Sequence, residues 1–138
     1  MILDASGLVL GRLASVAATL LLKGEELNIV NVEKAVITGR RETVFREYND
    51  IMQKGSREKG PHFPKRPDRI MKRTVRGMLP YKTKRGRDAM SRLRVYVGVP
   101  AEFSQESFEQ PEGAKLREGN SSTYIELGEL SKRLGSKF

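Results

Sequence analysis

Four cations recur at helical spacing near the middle of the chain: Arg69, Lys72, Arg73 and Arg76. Steps of three and four residues put them on one side of a helix. Lys65 and Arg66 precede them, and Lys82, Lys84, Arg85 and Arg87 follow around Gly86. The segment Lys54–Arg94 carries 15 Lys and Arg against Glu58, Asp68 and Asp88, a net of +12. The remaining residues hold 11 basic and 14 acidic side chains, so the whole-chain charge of +9 comes from this middle. A charged helix face is ordinarily a solvated one, but such faces alternate in sign. Charge concentrated on one side repels itself unless a polyanion compensates it. The chemistry this set can do is therefore phosphate neutralisation, with arginines able to stack or bond bidentately as well.

Thr38-Gly39-Arg40-Arg41 is a second candidate. Arginines at a helix start oppose the helix dipole. With Thr38 as a cap and Gly39 admitting an anion, a phosphate there would reverse the sign of that interaction. The alternative is that both side chains swing into water or pair with Glu42 or another carboxylate. Other chemistry finds less support. His62, the single histidine, lies in a Pro-bearing basic loop without the partners of a nucleophilic triad. Gly7 and Gly11 follow a strand-like run but lack the spacing of a dinucleotide loop, so a tight turn and helix packing explain them better. Glu102, Glu106, Glu109 and Glu112 are spread along a polar segment, and nothing selects a catalytic pair or a metal-ligand cluster.

The elements that must position these groups follow from pattern. A helix should open at Pro67 and stop before Pro80, docked by a stripe of Met71, Val75, Met78 and Leu79. Ile2–Ala5, Leu27–Val32, Leu93–Val97 and Tyr124–Leu127 read as strands, with Val36-Ile37 extending the sheet contact. Arg12–Leu22, ended by Lys23-Gly24, reads as a largely buried helix. A further helix runs from Thr38-Gly39 to about Met52, with Val44, Phe45, Tyr48, Ile51 and Met52 as its apolar stripe. Short helices are expected near Asp88–Arg92, Phe103–Phe108 and Gly128–Leu134. Gln53–Pro64 is a long polar loop, either functional or ordered by a partner. The order is that of an α/β domain with helices on both faces of a mostly parallel sheet of about four strands.

A chain of 138 residues suits one domain, with a basic helical insertion at about 54–92 and a more polar segment at about 99–138. A pI near 10 directs attention to nucleic acid or an anionic membrane surface. The longest apolar run, Leu13–Leu22, is too short to span a bilayer, and the opening MILDA reads as a strand, not a basic-plus-apolar leader. Without cysteine there is no disulfide framework, and a reducing cytosol is the simplest home. The basic region holds few aromatics, Phe63 and Tyr81 at its flanks, so a stacking sheet for single strands is not apparent. Phosphate contacts with shape readout fit folded RNA. Two rival readings stay open: a nucleotide- or phosphate-handling α/β enzyme, and an RNA-binding regulator.

Specific stretches add to this. LDASGLVLGRLAS (Leu3–Ser15), VNVEKAVITGRR (Val30–Arg41), FPKRPDR (Phe63–Arg69), KRTVRGMLP (Lys72–Pro80), KRGRDA (Lys84–Ala89) and RLRVYVG (Arg92–Gly98) occur in order over the first hundred residues. Together they resemble the universal large-subunit ribosomal protein thirteen family in its archaeal form, while the last forty residues match loosely through TYIELGELSKRLG. GVPAEFS stands where the bacterial form carries a histidine-containing segment, so bacterial roles are not transferred there. The resemblance implies a three-layer α/β/α domain with a four-stranded parallel sheet, no catalysis and no cofactor. It implies a structural, cytoplasmic constituent of the large subunit that binds ribosomal RNA, supports assembly and touches neighbouring ribosomal proteins. The RNA-facing positions would run along Arg66–Arg87 and near Arg40 and Arg41.

Overall fold

The computed structural model describes residues 1–53, 64–115 and 123–138. The expected loop at Gln53–Pro64, with His62 and Phe63, falls almost wholly outside the described residues. So does the segment 116–122.

Three strands form a parallel sheet in the order β1 (Ile2–Asp4), β2 (Leu27–Val30), β4 (Leu93–Val95), with Leu3 opposite Ile29 and Ile29 opposite Val95. All three of these side chains are buried, as parallel strands covered by helices require. Helix α1 (Leu10–Leu22) crosses between β1 and β2 and buries Leu10, Leu13, Ala14, Ala17, Ala18 and Leu21, a face at 3.6-residue period. Gly7 makes the turn before it with φ +72, and Gly24 ends it with φ +96, conformations that glycine adopts without strain. No atom lies within 4 Å of where a Gly11 side chain would begin, so packing does not explain that glycine.

The expected four-stranded parallel sheet needs correction. Val36-Ile37 does not continue β2, and Tyr124–Leu127 does not join the parallel sheet. Instead β3 (Val36–Thr38) and β5 (Tyr124–Glu126) pair with one another, antiparallel. The cause is local. Asn31 takes the left-handed conformation, φ 55 and ψ 37, and one 3-10 turn follows at Val32–Lys34, which swings the chain off the line of β2. A fourth parallel neighbour survives as one bridge: Asp4 N–H donates to the Glu109 carbonyl at 3.0 Å, and Glu109 N–H donates to Ile2 at 2.9 Å. The helix expected at Phe103–Phe108 is replaced by single 3-10 turns at Ala101–Phe103 and Glu112–Ala114.

The other helices are α2 (Arg41–Gln53), α3 (Pro67–Gly77), α4 (Lys84–Ser91) and α5 (Leu127–Arg133). Helix α3 packs against α1, β4, α5 and the Val32–Lys34 turn, while α4 packs against α1 and β4. Of the expected α2 stripe, Val44 is buried, and Phe45, Tyr48, Ile51 and Met52 are half-buried.

Asp4 locks the turn where β1 and β2 end. Its Oδ1 accepts the Ser6 N–H at 3.0 Å and the Asn31 side-chain amide at 3.2 Å. Burial pushes this carboxyl up, but those hydrogen bonds and the nearby Lys34 outweigh it, leaving the pKa below the ordinary 3.8. A lowered folded-state pKa contributes stability above the unfolded value and loses it as pH falls through the folded one. Asp4→Asn should therefore lower the urea midpoint at neutral pH. The gap from the parent should shrink as pH is taken below 3.8.

Candidate nucleic-acid interface

Helix α3 is built to be held from one side. Arg66 precedes it in extended conformation, Pro67 occupies the first turn and Asp68 faces the positive end of the dipole. Ile70, Met71, Val75 and Leu79 are buried, each worth roughly 1.5–3 kcal/mol of transfer free energy. Arg69, Lys72, Arg73 and Arg76 lie on the opposite side and are exposed. Two details differ from expectation. Ile70, left out of the predicted stripe, is 1% exposed. Met78, placed in it, is 44% exposed. The helix ends at Gly77 and tightens there: Met78 N–H bonds to Val75 and Leu79 N–H to Arg76, three residues back. Tighter winding breaks the 3.6-residue phase just where Met78 was assigned.

The second basic group is also helical, and it starts earlier than Asp88. Thr83 caps α4, its hydroxyl accepting the Gly86 N–H at 3.3 Å and donating to the Pro80 carbonyl at 2.8 Å. Lys84, Arg85 and Arg87 therefore occupy the first turn of α4, exposed, with no acidic residue in that turn. Cations there oppose the dipole, and an anion at that end would relieve it. Gly86 is buried because α4 presses on the preceding loop: a methyl group would overlap the Pro80 carbonyl and crowd the Tyr81 amide. Arg76 sits over the Tyr81 ring, its guanidinium carbon 4.3 Å from the centroid, so the loop also holds one α3 guanidinium. Sequence had marked Tyr81 only as a flank.

Among the described residues, three ion pairs form: Arg41–Glu129 at 3.1 Å, Arg66–Asp68 at 3.4 Å and Lys115–Glu112 at 2.8 Å. Arg69, Lys72, Arg76, Lys82, Lys84, Arg85 and Arg87 take no part in any of them. Lys65 is exposed at the approach to α3, and Lys82 is exposed in the loop before α4. Arg92 is spent internally instead: half-buried, it donates to the Leu21 carbonyl at 2.5 Å and closes the C-terminal end of α1.

Arg40 and Arg41 stand apart from this group. Thr38 belongs to β3 and does not cap α2. Gly39, with φ +127, carries the chain two residues further, and Arg40 precedes the helix, its carbonyl accepting the Val44 N–H at 3.0 Å. Arg40 is exposed, while Arg41 reaches Glu129 on α5, a carboxylate 88 residues away. Of the two alternatives for these arginines, pairing holds for Arg41, with a partner that no local pattern discloses. No described group of three His, Asp or Glu could hold a metal, and no described helix is long and apolar enough to cross a membrane.

The family described as ribosomal protein L13 matches residues 1–102. The chain belongs to that family. It is 60% identical to the large ribosomal subunit protein uL13 of Methanosarcina barkeri and 56% identical to that of Methanococcoides burtonii, over 99% of each chain. It is 53% identical to the protein of that name from Archaeoglobus fulgidus, over 97% of this chain and 86% of the relative. The family match takes in α3, α4 and both basic groups. The relatives extend the similarity through α5, beyond the loose C-terminal likeness of the short motifs.

Gly86 separates helix propensity from packing. Alanine is better than glycine in a helix interior by about 1 kcal/mol, but here its methyl would meet the Pro80 carbonyl. Gly86→Ala should thus lower unfolding free energy by about 1–3 kcal/mol, read as a reduced urea midpoint. A raised midpoint would refute the packing assignment.

Proposed function

We propose that this protein, a non-enzymatic ribosomal protein of the large subunit, holds large-subunit ribosomal RNA through the outward cations of α3 and α4. The observation that carries the reading is the pairing of opposite faces on α3: Ile70, Met71, Val75 and Leu79 buried, Arg69, Lys72, Arg73 and Arg76 exposed. Flexible lysines and arginines on a loop would lose conformational entropy on meeting RNA. On a helix fixed to the core, the backbone share of that cost is met during folding. Lys84, Arg85 and Arg87 add positive charge at the dipole end of α4, and Lys65, Arg66 and Lys82 extend the track on either side. Arg40 contributes from the start of α2, and Arg41 would have to leave Glu129 to join it.

The relatives named as large-subunit proteins support placement in that particle, and hence in the cytoplasm beside other ribosomal proteins. On this reading the chain neutralises phosphates while RNA segments converge during assembly, then remains as a fixed strut. The three-layer α/β/α order belongs to the same proposal. It is supported by α1 packing on β2 and by α3 and α4 packing on β4.

Affinity for a large-subunit RNA fragment should fall linearly in log–log form with salt, by about 0.7–0.9 per phosphate contact. Replacing Arg69 and Lys72 with Ala should make the slope shallower by about two, at an unchanged urea midpoint. Filter binding between 50 and 300 mM salt, about the range where such contacts are read, is the measurement. An unaltered slope in the folded double variant would remove this face from the interface.

A further inference from the structure

The face of α3 that carries the cations is not flat. Between α3 and α4 lies a shallow cleft of about 250 Å³, open on one side, lined by Pro64, Arg69, Lys72, Arg73, Arg76 and Met90. Its exposed lining is mainly carbon: the proline ring, the thioether and the aliphatic stems of the cations. Among the described residues its rim is cationic, with no carboxylate in the lining. It is smaller than the roughly 300–1,000 Å³ of sites that enclose a whole small molecule. A flat, apolar-faced ring flanked by negative charge matches these features, and a nucleotide with its base turned out of the helical stack is such a group.

Resting on the RNA-binding reading above, we propose that this cleft receives one extruded nucleobase, with the rim cations on the phosphates that flank it. Met90 and Pro64 supply the floor. Arg76 lines the cleft and is held near by the Tyr81 ring, its guanidinium carbon 4.3 Å from the ring centroid, and a guanidinium so placed is a group on which a base can stack. A second cleft on the far side of Arg73, lined by Glu47, Tyr48, Ile51, Thr74 and Gly77, is larger at about 340 Å³. It carries the Glu47 carboxylate at its edge, which would repel a nucleotide's phosphates. The α3–α4 cleft is therefore the base site.

The test uses the full chain and three RNA hairpins of one sequence: fully paired, with a single-adenine bulge, and with an abasic residue at the bulge. The adenine bulge should bind about tenfold tighter than the abasic one, since stacking one base is worth that much or more. 2-Aminopurine at the bulge should change its fluorescence on binding. Met90→Trp, which fills the floor, should reduce the preference to about twofold or less. Equal affinity for adenine and abasic bulges, alongside a steep salt slope on the paired hairpin, would overturn the base site and leave the phosphate interface standing. A flat salt slope on all three hairpins would overturn the interface and the base site together. A full preference retained in folded Met90→Trp would place the base elsewhere. The abasic comparison needs no variant, so misfolding of Met90→Trp cannot hide the answer.

Discussion

Burial of one side of α3 is the contact from which the rest of the interface derives. Ile70, Met71, Val75 and Leu79 sit against α1 and β4, the framework that the parallel sheet holds together. Four such side chains supply several kcal/mol of transfer free energy. That is ample against the few tenths of a kcal/mol each by which like charges on one helix face oppose one another. Hydrophobic docking thus lets Arg69, Lys72, Arg73 and Arg76 stand together on one exposed face. Were the docking weaker, self-repulsion and backbone entropy would favour fraying of this very helix.

The cations of the chain fall into two physical classes. Some are consumed inside the fold. Arg92 closes the C-terminus of α1, Arg41 ties α2 to α5 through Glu129, and Arg133 covers the Phe45 ring at 4.3 Å. Each sits beside a carbonyl dipole, a carboxylate or an aromatic face. Others, among them Arg69, Lys72, Lys84, Arg85 and Arg87, are exposed and take no part in the ion pairs among the described residues. Arg76 belongs to both: Tyr81 holds it from one side while the residue remains exposed. A basic residue's role here follows from what its side chain touches, not from its place in a basic run.

Close packing between the two basic segments comes from Gly86. Its missing side chain lets the first turn of α4 settle on the Pro80–Tyr81 backbone. That contact seats α4 on the loop that follows α3, and Met90 of α4 lines one cleft with Arg69, Lys72, Arg73 and Arg76 of α3. Thr83 adds a cap at the same corner, so one loop both sets the start of α4 and supplies the ring that holds Arg76.

Periodicity determined much by itself: the parallel strands Ile2–Asp4, Leu27–Val30 and Leu93–Val95, the buried face of α1, and the cationic face of α3. These were legible because apolar spacing and helix stops act over a few residues. Tertiary structure decided the remainder. Asn31 and the turn after it sent Val36–Thr38 to pair with Tyr124–Glu126, a partner 88 residues away that strand-like composition cannot name. A tightened last turn moved Met78 to the surface, and Arg41 found Glu129 on a helix near the other end of the chain. The α3–α4 cleft exists only once Pro64 and Met90 are brought to the same wall. Local pattern reports how a residue sits within its own element, whereas pairings across the chain depend on where a few backbone bends aim those elements.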